Sequence, residues 1–202
     1  MLIFFSVSGF FTTASRRDCG ASISAAGGRV SRRERTAASL QPASSMTVTS
    51  LLLPGADESR TRAVLRRRHA PAREDAAPPA VQAAIEAITA LLSGEPRDLI
   101  DVTLDLQGVP DFHRRVYEQS RRIGPGHTCT YGDLAAQLGE PGAARAVGQA
   151  LGANPVAVIV PCHRVLAAGG RPGGFSAPGG VDTKRRLLEI ERARFGDQPQ
   201  LF

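Results

Sequence analysis

Residues 141–165 read PGAARAVGQALGANPVAVIVPCHRV. Pro141 opens a run of Ala, Gly, Val and Leu in which Arg145 and Gln149 are the long polar side chains. A proline at the first turn followed by such residues predicts a short helix. PVAVIV at 155–160 is short and continuously apolar, the pattern of a buried strand. After Pro161 the chain sets a thiol beside an imidazole, Cys162–His163. That cysteine has two readings, a small core hydrophobe or a nucleophile. A free thiol, with a pKa of about 8.5, needs help to ionise at neutral pH, and a histidine held by a carboxylate supplies it. Adjacent side chains diverge, so His163 would act through a bridging water. The carboxylate would come from the last helix, as Glu191 or as its rival Glu189.

Upstream, HTCTY at 127–131 reads as a short extended segment and YGDLAAQLG as a brief helix closed by Gly139. Two short helices across a Gly-Pro turn predict a helix-turn-helix. Ala143, Ala144, Ala146 and Gly148 would let the second helix approach another surface closely. A minor groove about 6 Å wide excludes a helix with bulky side chains; a helix faced this way fits and would send Arg145 toward the base stack. Close helix–helix packing is the alternative.

Further out, Pro110 starts a helix running to Ile123 with Phe112, Val116 and Tyr117 inward. IDVTLDL at 100–106 alternates apolar and polar residues, as a half-buried strand does. Val81, Ile85, Ile88 and Leu92 share one face of a helix beginning near Pro79 and stopped by Gly94 and Pro96. Residues 169–180, GGRPGGFSAPGG, form a glycine-rich loop. Asp182 is placed to cap a last helix carrying Leu187, Leu188 and Ile190. Residues 54–80, with RRRHAPAREDAAPPA, carry charge and proline without an apolar stripe and read as a linker.

Of the net charge of +6, about +4 lies in residues 1–45, where six arginines face Asp18 and Glu34. Nucleic-acid affinity therefore has to be argued from a local patch. Residues 1–45 lack core periodicity and a basic start, which disfavours a secretory signal. They read as a disordered arm or as sequence upstream of a start at Met46. Three scattered cysteines, Cys19, Cys129 and Cys162, argue against a disulfide framework and against a zinc cluster. They fit a reducing compartment such as the cytoplasm, where a thiol stays free. No apolar run is long enough to span a bilayer.

TYGDLA, ARAVGQALGANPVAVIVPCHRV, GGFSAPGG and TKRRLLEIE occur in this order. Together they closely resemble the O6-alkylguanine-DNA alkyltransferases, the methylated-DNA–protein-cysteine methyltransferases, over about residues 79–193. The resemblance implies an α/β (α+β) fold. A small, reduced N-terminal sheet-and-helix unit (46–109) would precede a mostly helical C-terminal domain (110–193) and a tail (194–202). That domain would hold the helix-turn-helix and a short strand leading to the active-site cysteine. The resemblance implies single-turnover repair of O6-alkylguanine, and of O4-alkylthymine, in duplex DNA by a monomer bound in the minor groove, without metal or cofactor and without membrane. Cys162 matches the alkyl acceptor, His163 its water-mediated base and Glu191 the carboxylate that orients the histidine. Tyr131 matches the tyrosine that assists flipping and donates toward guanine N3, and Asn154 the brace of the active-site turn. Arg145 matches the finger that replaces the flipped base, with Ala144 and Gln149 beside it on the DNA face. Leu151, Val165, Phe175 and Ser176 would line the base pocket, with the backbone around Cys162 and Val165 accepting from the guanine amino group and Ser176 bonding O6.

The chain departs from the family in three places. Tyr117 stands where a tryptophan is common. Phe175 replaces a tyrosine, with Ala177 and Pro178 lengthening the loop. Residues 46–78 are too polar to complete the N-terminal unit unless strands hide in MTVTSLLLP. Competing readings are a lesion sensor, which would lack the acceptor cysteine; a hydrolytic Cys–His enzyme, which would turn over; and a structural DNA-binding module, in which Cys162 would be inert.

Overall fold

A computed structural model describes residues 3–7, 10–14, 47–53, 57–68, 73–74 and 76–196. Cys19 lies outside the described residues. Four strands form one sheet: β1 (Ile3–Val7), β2 (Phe10–Ala14), β3 (Val48–Leu52) and β4 (Arg73–Glu74), in the order β3-β1-β2-β4. β1 runs antiparallel to β2 and to β3, and β2 parallel to β4. Residues 3–7 and 10–14 thus differ from the expected arm. IFFSV and FFTTA are rich in β-branched and aromatic residues, which suit strands. MTVTSLLLP does supply a strand, β3, with Val48 and Leu51 buried.

The linker expected over 54–80 contains a helix, α1 (Glu58–Arg68). Its polarity hid it; among its described side chains Thr61 is buried and Val64 half-buried. Asp57 caps it, accepting from Ser59 N at 2.8 Å and from Ser59 Oγ at 2.8 Å.

α2 (Pro79–Leu92) begins on its proline and buries Val81, Ala84, Ile85, Ile88 and Leu91. It stops at Ser93, followed by Gly94 at φ +95°. The expected strand at 100–106 is irregular chain, with Ile100 45% exposed. Arg121 takes the carbonyls a ladder would have used: its Nη2 donates to Leu99 O, Ile100 O and Val102 O at 3.0, 2.6 and 2.7 Å. Only Leu104 keeps a bridge, to Val48 of β3.

α3 (Asp111–Ser120) buries Val116, Tyr117 and Ser120. β5 (Cys129–Thr130) leads into α4 (Tyr131–Gln137), and α5 (Ala144–Gly152) follows as the second helix of the helix-turn-helix. A capping box starts α4: Thr130 Oγ1 accepts from Asp133 N at 3.1 Å, and Asp133 Oδ2 accepts from Thr130 N at 2.9 Å. The phenol of Tyr117, 1% exposed, donates to Ala150 O at 2.9 Å and fastens α3 to α5. The residue that stands in place of a tryptophan therefore holds α5 against α3.

The expected strand at 155–160 is buried, but it folds as a tight turn between isolated bridges, Leu51 to Val156 and Ala157 to Val160. Val158 takes φ +76°, a strained value for a β-branched residue. A continuous apolar run reports burial, and it cannot by itself distinguish a strand from a turn packed in the core. β6 (Val165–Leu166) pairs parallel with β5. α6 (Gly180–Ile190) is capped by Gly179 at φ +83°; Asp182, expected as the cap, sits inside the first turn, where its charge suits the helix dipole. Among the described residues no helix is long and apolar enough to cross a membrane.

Candidate active site

Asn154 closes the turn ahead of Cys162. Its Oδ1 accepts from Val156 N at 2.9 Å and its Nδ2 donates to Val160 O at 2.9 Å. The same Nδ2 lies 3.5 Å from Cys162 Sγ. Cys162 begins a 3-10 turn ending at Arg164, and its backbone N–H donates to Val160 O at 2.8 Å. The thiol is 7% exposed. Burial pushes its pKa up, against the Asn154 hydrogen bond and the nearby Lys184 charge, which pull it down.

Behind the thiol, His163 Nε2 meets Glu191 Oε1 at 2.9 Å. Glu191, just past α6, is the carboxylate; Glu189 is exposed on that helix. His163 Nδ1 is buried with no hydrogen-bond partner among the described residues. Arg164, absent from the sequence expectations, holds the same carboxylate in a fork: Nε to Oε2 and Nη2 to Oε1, both 2.8 Å. It also donates to Ile123 O. Burial acts to raise the Glu191 pKa, but the bonds and charges of His163 and Arg164 bring it down to about 2. Burial lowers that of His163, with Glu191 opposing and Arg164 adding to the lowering. Burial thus favours the neutral imidazole, and the Arg164 charge adds to that preference.

Acid stability follows from these directions. Burial holds His163 below its ordinary value of 6.5, so stability present above that value declines as pH falls through the native one. Glu191 adds a second loss: an unfolded chain protonates it near 4.5, the native site only at about 2. That difference corresponds to roughly 3 kcal/mol. Urea unfolding across the acid range should show two successive declines, and a flat profile down to about pH 4 would contradict the burial of His163.

Tyr131, Gly148, Leu151, Gly152, Cys162, Gly174, Phe175 and Ser176 line a cavity of about 400 Å³. A larger one, about 780 Å³, continues from Cys162 past Phe175 and Asn154 to Leu51 of β3 and Arg60 of α1. Gly173 lies beside the Tyr131 ring at φ +68°, a backbone conformation that favours glycine. Val165 is not among the lining residues. Its carbonyl, expected to face the substrate, accepts from Lys184 Nζ at 2.7 Å. Lys184 is a second residue the sequence reading missed; nothing about a lysine on an amphipathic helix announces burial. On the outer side, Arg145 and Gln149 are exposed and Ala144 is half-buried. Arg145 has no hydrogen-bond or ion-pair partner among the described residues.

A small-residue helix tipped with a free arginine, set beside a buried row of thiol, imidazole and carboxylate, defines a DNA-binding protein with a thiol centre. Residues 111–193 match the family model for the 6-O-methylguanine DNA methyltransferase DNA-binding domain. A methylated-DNA–protein-cysteine methyltransferase of Mycobacterium tuberculosis is 46% identical over 125 residues, 62% of this chain and 73% of the relative. The chain belongs to the methylated-DNA–protein-cysteine methyltransferase family. A Salmonella typhimurium member is 48% identical over 93 residues, 46% of this chain and 53% of the relative. Among solved structures, that of Mycobacterium tuberculosis OGT in complex with DNA superposes with a TM-score of 0.58 at 39% identity, covering 75% of this chain and 84% of the other. The O6-methylguanine-DNA methyltransferase of Pyrococcus kodakaraensis gives 0.57 at 28% identity, covering 72% and 86%.

Proposed function

We propose that this protein repairs O6-alkylguanine, and O4-alkylthymine, in duplex DNA by moving the alkyl group onto its own Cys162, once per molecule. The observation that carries this is the placement of Cys162 in the wall of the 400 Å³ cavity with the His163–Glu191 pair directly behind it. O6 is beyond reach inside a stacked duplex, so the base must be flipped out. The cavity would take it between Leu151 and the 173–176 loop, with Ser176 toward O6 and Tyr131 toward N3.

The thiol gives its proton to His163 through a bridging water, and Glu191 stabilises the imidazolium. The sulfur attacks the alkyl carbon, the S–C bond forms as the O6–C bond breaks, and guanine leaves with a proton restored to its ring. The thioether is stable, and no group in the site is arranged to cleave it, so the protein is consumed. Residues 110–193 would carry the chemistry and the DNA contact as a monomer in the cytoplasm, with 46–109, joined in one sheet by β1 and β2, as the N-terminal unit and 194–202 as a tail. α5 would enter the minor groove on Ala144 and Gln149, with Arg145 filling the gap left by the base.

An intact-mass measurement after mixing with a duplex holding one O6-methylguanine tests this. One methyl gained, mapped to Cys162 and without turnover, is expected. Tight lesion binding without mass gain would mean a lesion sensor instead. The variant Arg145→Ala should keep its fold but transfer about 10²-fold more slowly, since unstacking costs a few kcal/mol that the finger offsets. Transfer at the unsubstituted rate would remove Arg145 from the flipping step.

A further inference from the structure

Lys184 is fully buried on α6. Lysine rarely occupies such a place unless a carboxylate pairs with it. Here every partner is neutral. Nζ donates to Val165 O at 2.7 Å and to Gly174 O at 3.4 Å, and it stands 5.6 Å from the centroid of the Tyr131 ring. Burial lowers its pKa to about 8, with the Cys162 charge opposing, so it remains mostly protonated at neutral pH.

A buried cation without a counter-ion is a standing cost. The site can nevertheless form one anion, the Cys162 thiolate. Asn154, the backbone N–H groups of Cys162 and His163, the Tyr117 and Tyr131 phenols and Lys184 all interact with that sulfur. Asn154 is uncharged, the phenols are held neutral by burial, and so is His163. The Arg164 charge is spent on Glu191. Lys184 is therefore the one unbalanced positive charge among these groups.

We infer that Lys184 is a positioning residue for alkyl transfer, the fixed positive charge against which the Cys162 thiolate forms. This rests on Cys162 being the alkyl acceptor. Lys184 gives up no proton in the step: the thiol proton leaves toward His163, and the ammonium keeps all three of its own. It also ties Val165 to the Gly174 loop, so the charge is fixed to the wall of the base cavity.

The test is the pH dependence of Cys162 alkylation by iodoacetamide, followed on the Cys162 peptide by mass spectrometry. The proteins compared are the unsubstituted chain, Lys184→Gln and Lys184→Met. Glutamine can donate to the same carbonyls without charge. Both variants should move the midpoint up by about one pH unit and slow the reaction at neutral pH about tenfold. A Lys184→Gln midpoint equal to that of the unsubstituted chain would make Lys184 a structural lysine, as would equal slowing at every pH. A reciprocal measurement needs no substitution. The Lys184 ammonium, titrated by NMR, should lose its proton at lower pH once iodoacetamide has capped Cys162, and an unchanged titration would overturn the proposal. Neither experiment uses DNA, so a failure of lesion repair would be distinguished from a failure here.

Discussion

Replacing Cys162 with serine abolishes alkyl transfer and leaves the fold and the DNA contact in place. A serine hydroxyl does not ionise beside a neutral imidazole, so the rate should drop by at least about 10⁴-fold. The substitution costs little elsewhere. The serine oxygen is smaller and sits closer to its Cβ than the sulfur, so Asn154 Nδ2, now 3.5 Å from the sulfur, has to shift slightly to donate to it. A stability loss of about 1 kcal/mol is expected for a buried hydroxyl with a partner. Intact mass after incubation with O6-methylguanine duplex should show no gain, while gel-shift affinity for the lesion persists. Mass gain at Cys129 or Cys19 in this variant would relocate the acceptor and undo the assignment.

Glu191→Ala should destabilise the protein by about 3–5 kcal/mol, because it strands a buried cation. Arg164, 4% exposed, would lose both carboxylate oxygens and keep only the Ile123 carbonyl. His163 would lose the bond that fixes its ring. Urea unfolding gives the size of the loss. Replacing Arg164 and Glu191 together by methionine should recover much of it, since the apolar pair leaves no unpaired charge. A loss below about 1 kcal/mol for the single variant would mean that water reaches the guanidinium and the site is not closed.

The sequence disclosed the chemistry more fully than the architecture. Cys162, His163, Asn154 and Glu191 are brought together by a turn and a helix end that the PCHRV and LLEIE segments already named. The 79–92 and 111–120 helices were legible because their apolar spacing has a helical period. Two strands failed for different reasons. At 100–106 the alternation was real, but Arg121, about twenty residues away, captured the carbonyls, a tertiary event no local pattern records. At 155–160 the apolar run signalled burial correctly while Asn154 folded it into a turn. α1 escaped notice because a helix flanking a sheet can be almost wholly polar. Arg164 and Lys184 were missed because burial of a cation depends on acceptors drawn from distant chain, Glu191 and Ile123 for one, Val165 and Gly174 for the other.

A molecule that reacts once is also spent by anything else that reaches its sulfur first. Thiols are oxidised and adventitiously modified as thiolates, and both cysteines within the described residues are kept from that form. Cys162 is covered and its pKa is raised by burial; that of Cys129 is carried up to about 11 by burial and by the nearby Asp133. Between lesions burial weighs against ionisation of both thiols, and at Cys162 the Asn154 hydrogen bond and the Lys184 charge weigh the other way. Cover over the thiol, 7% exposed at Cys162, therefore guards each copy against loss to oxidants as well as shaping its reaction with a damaged base.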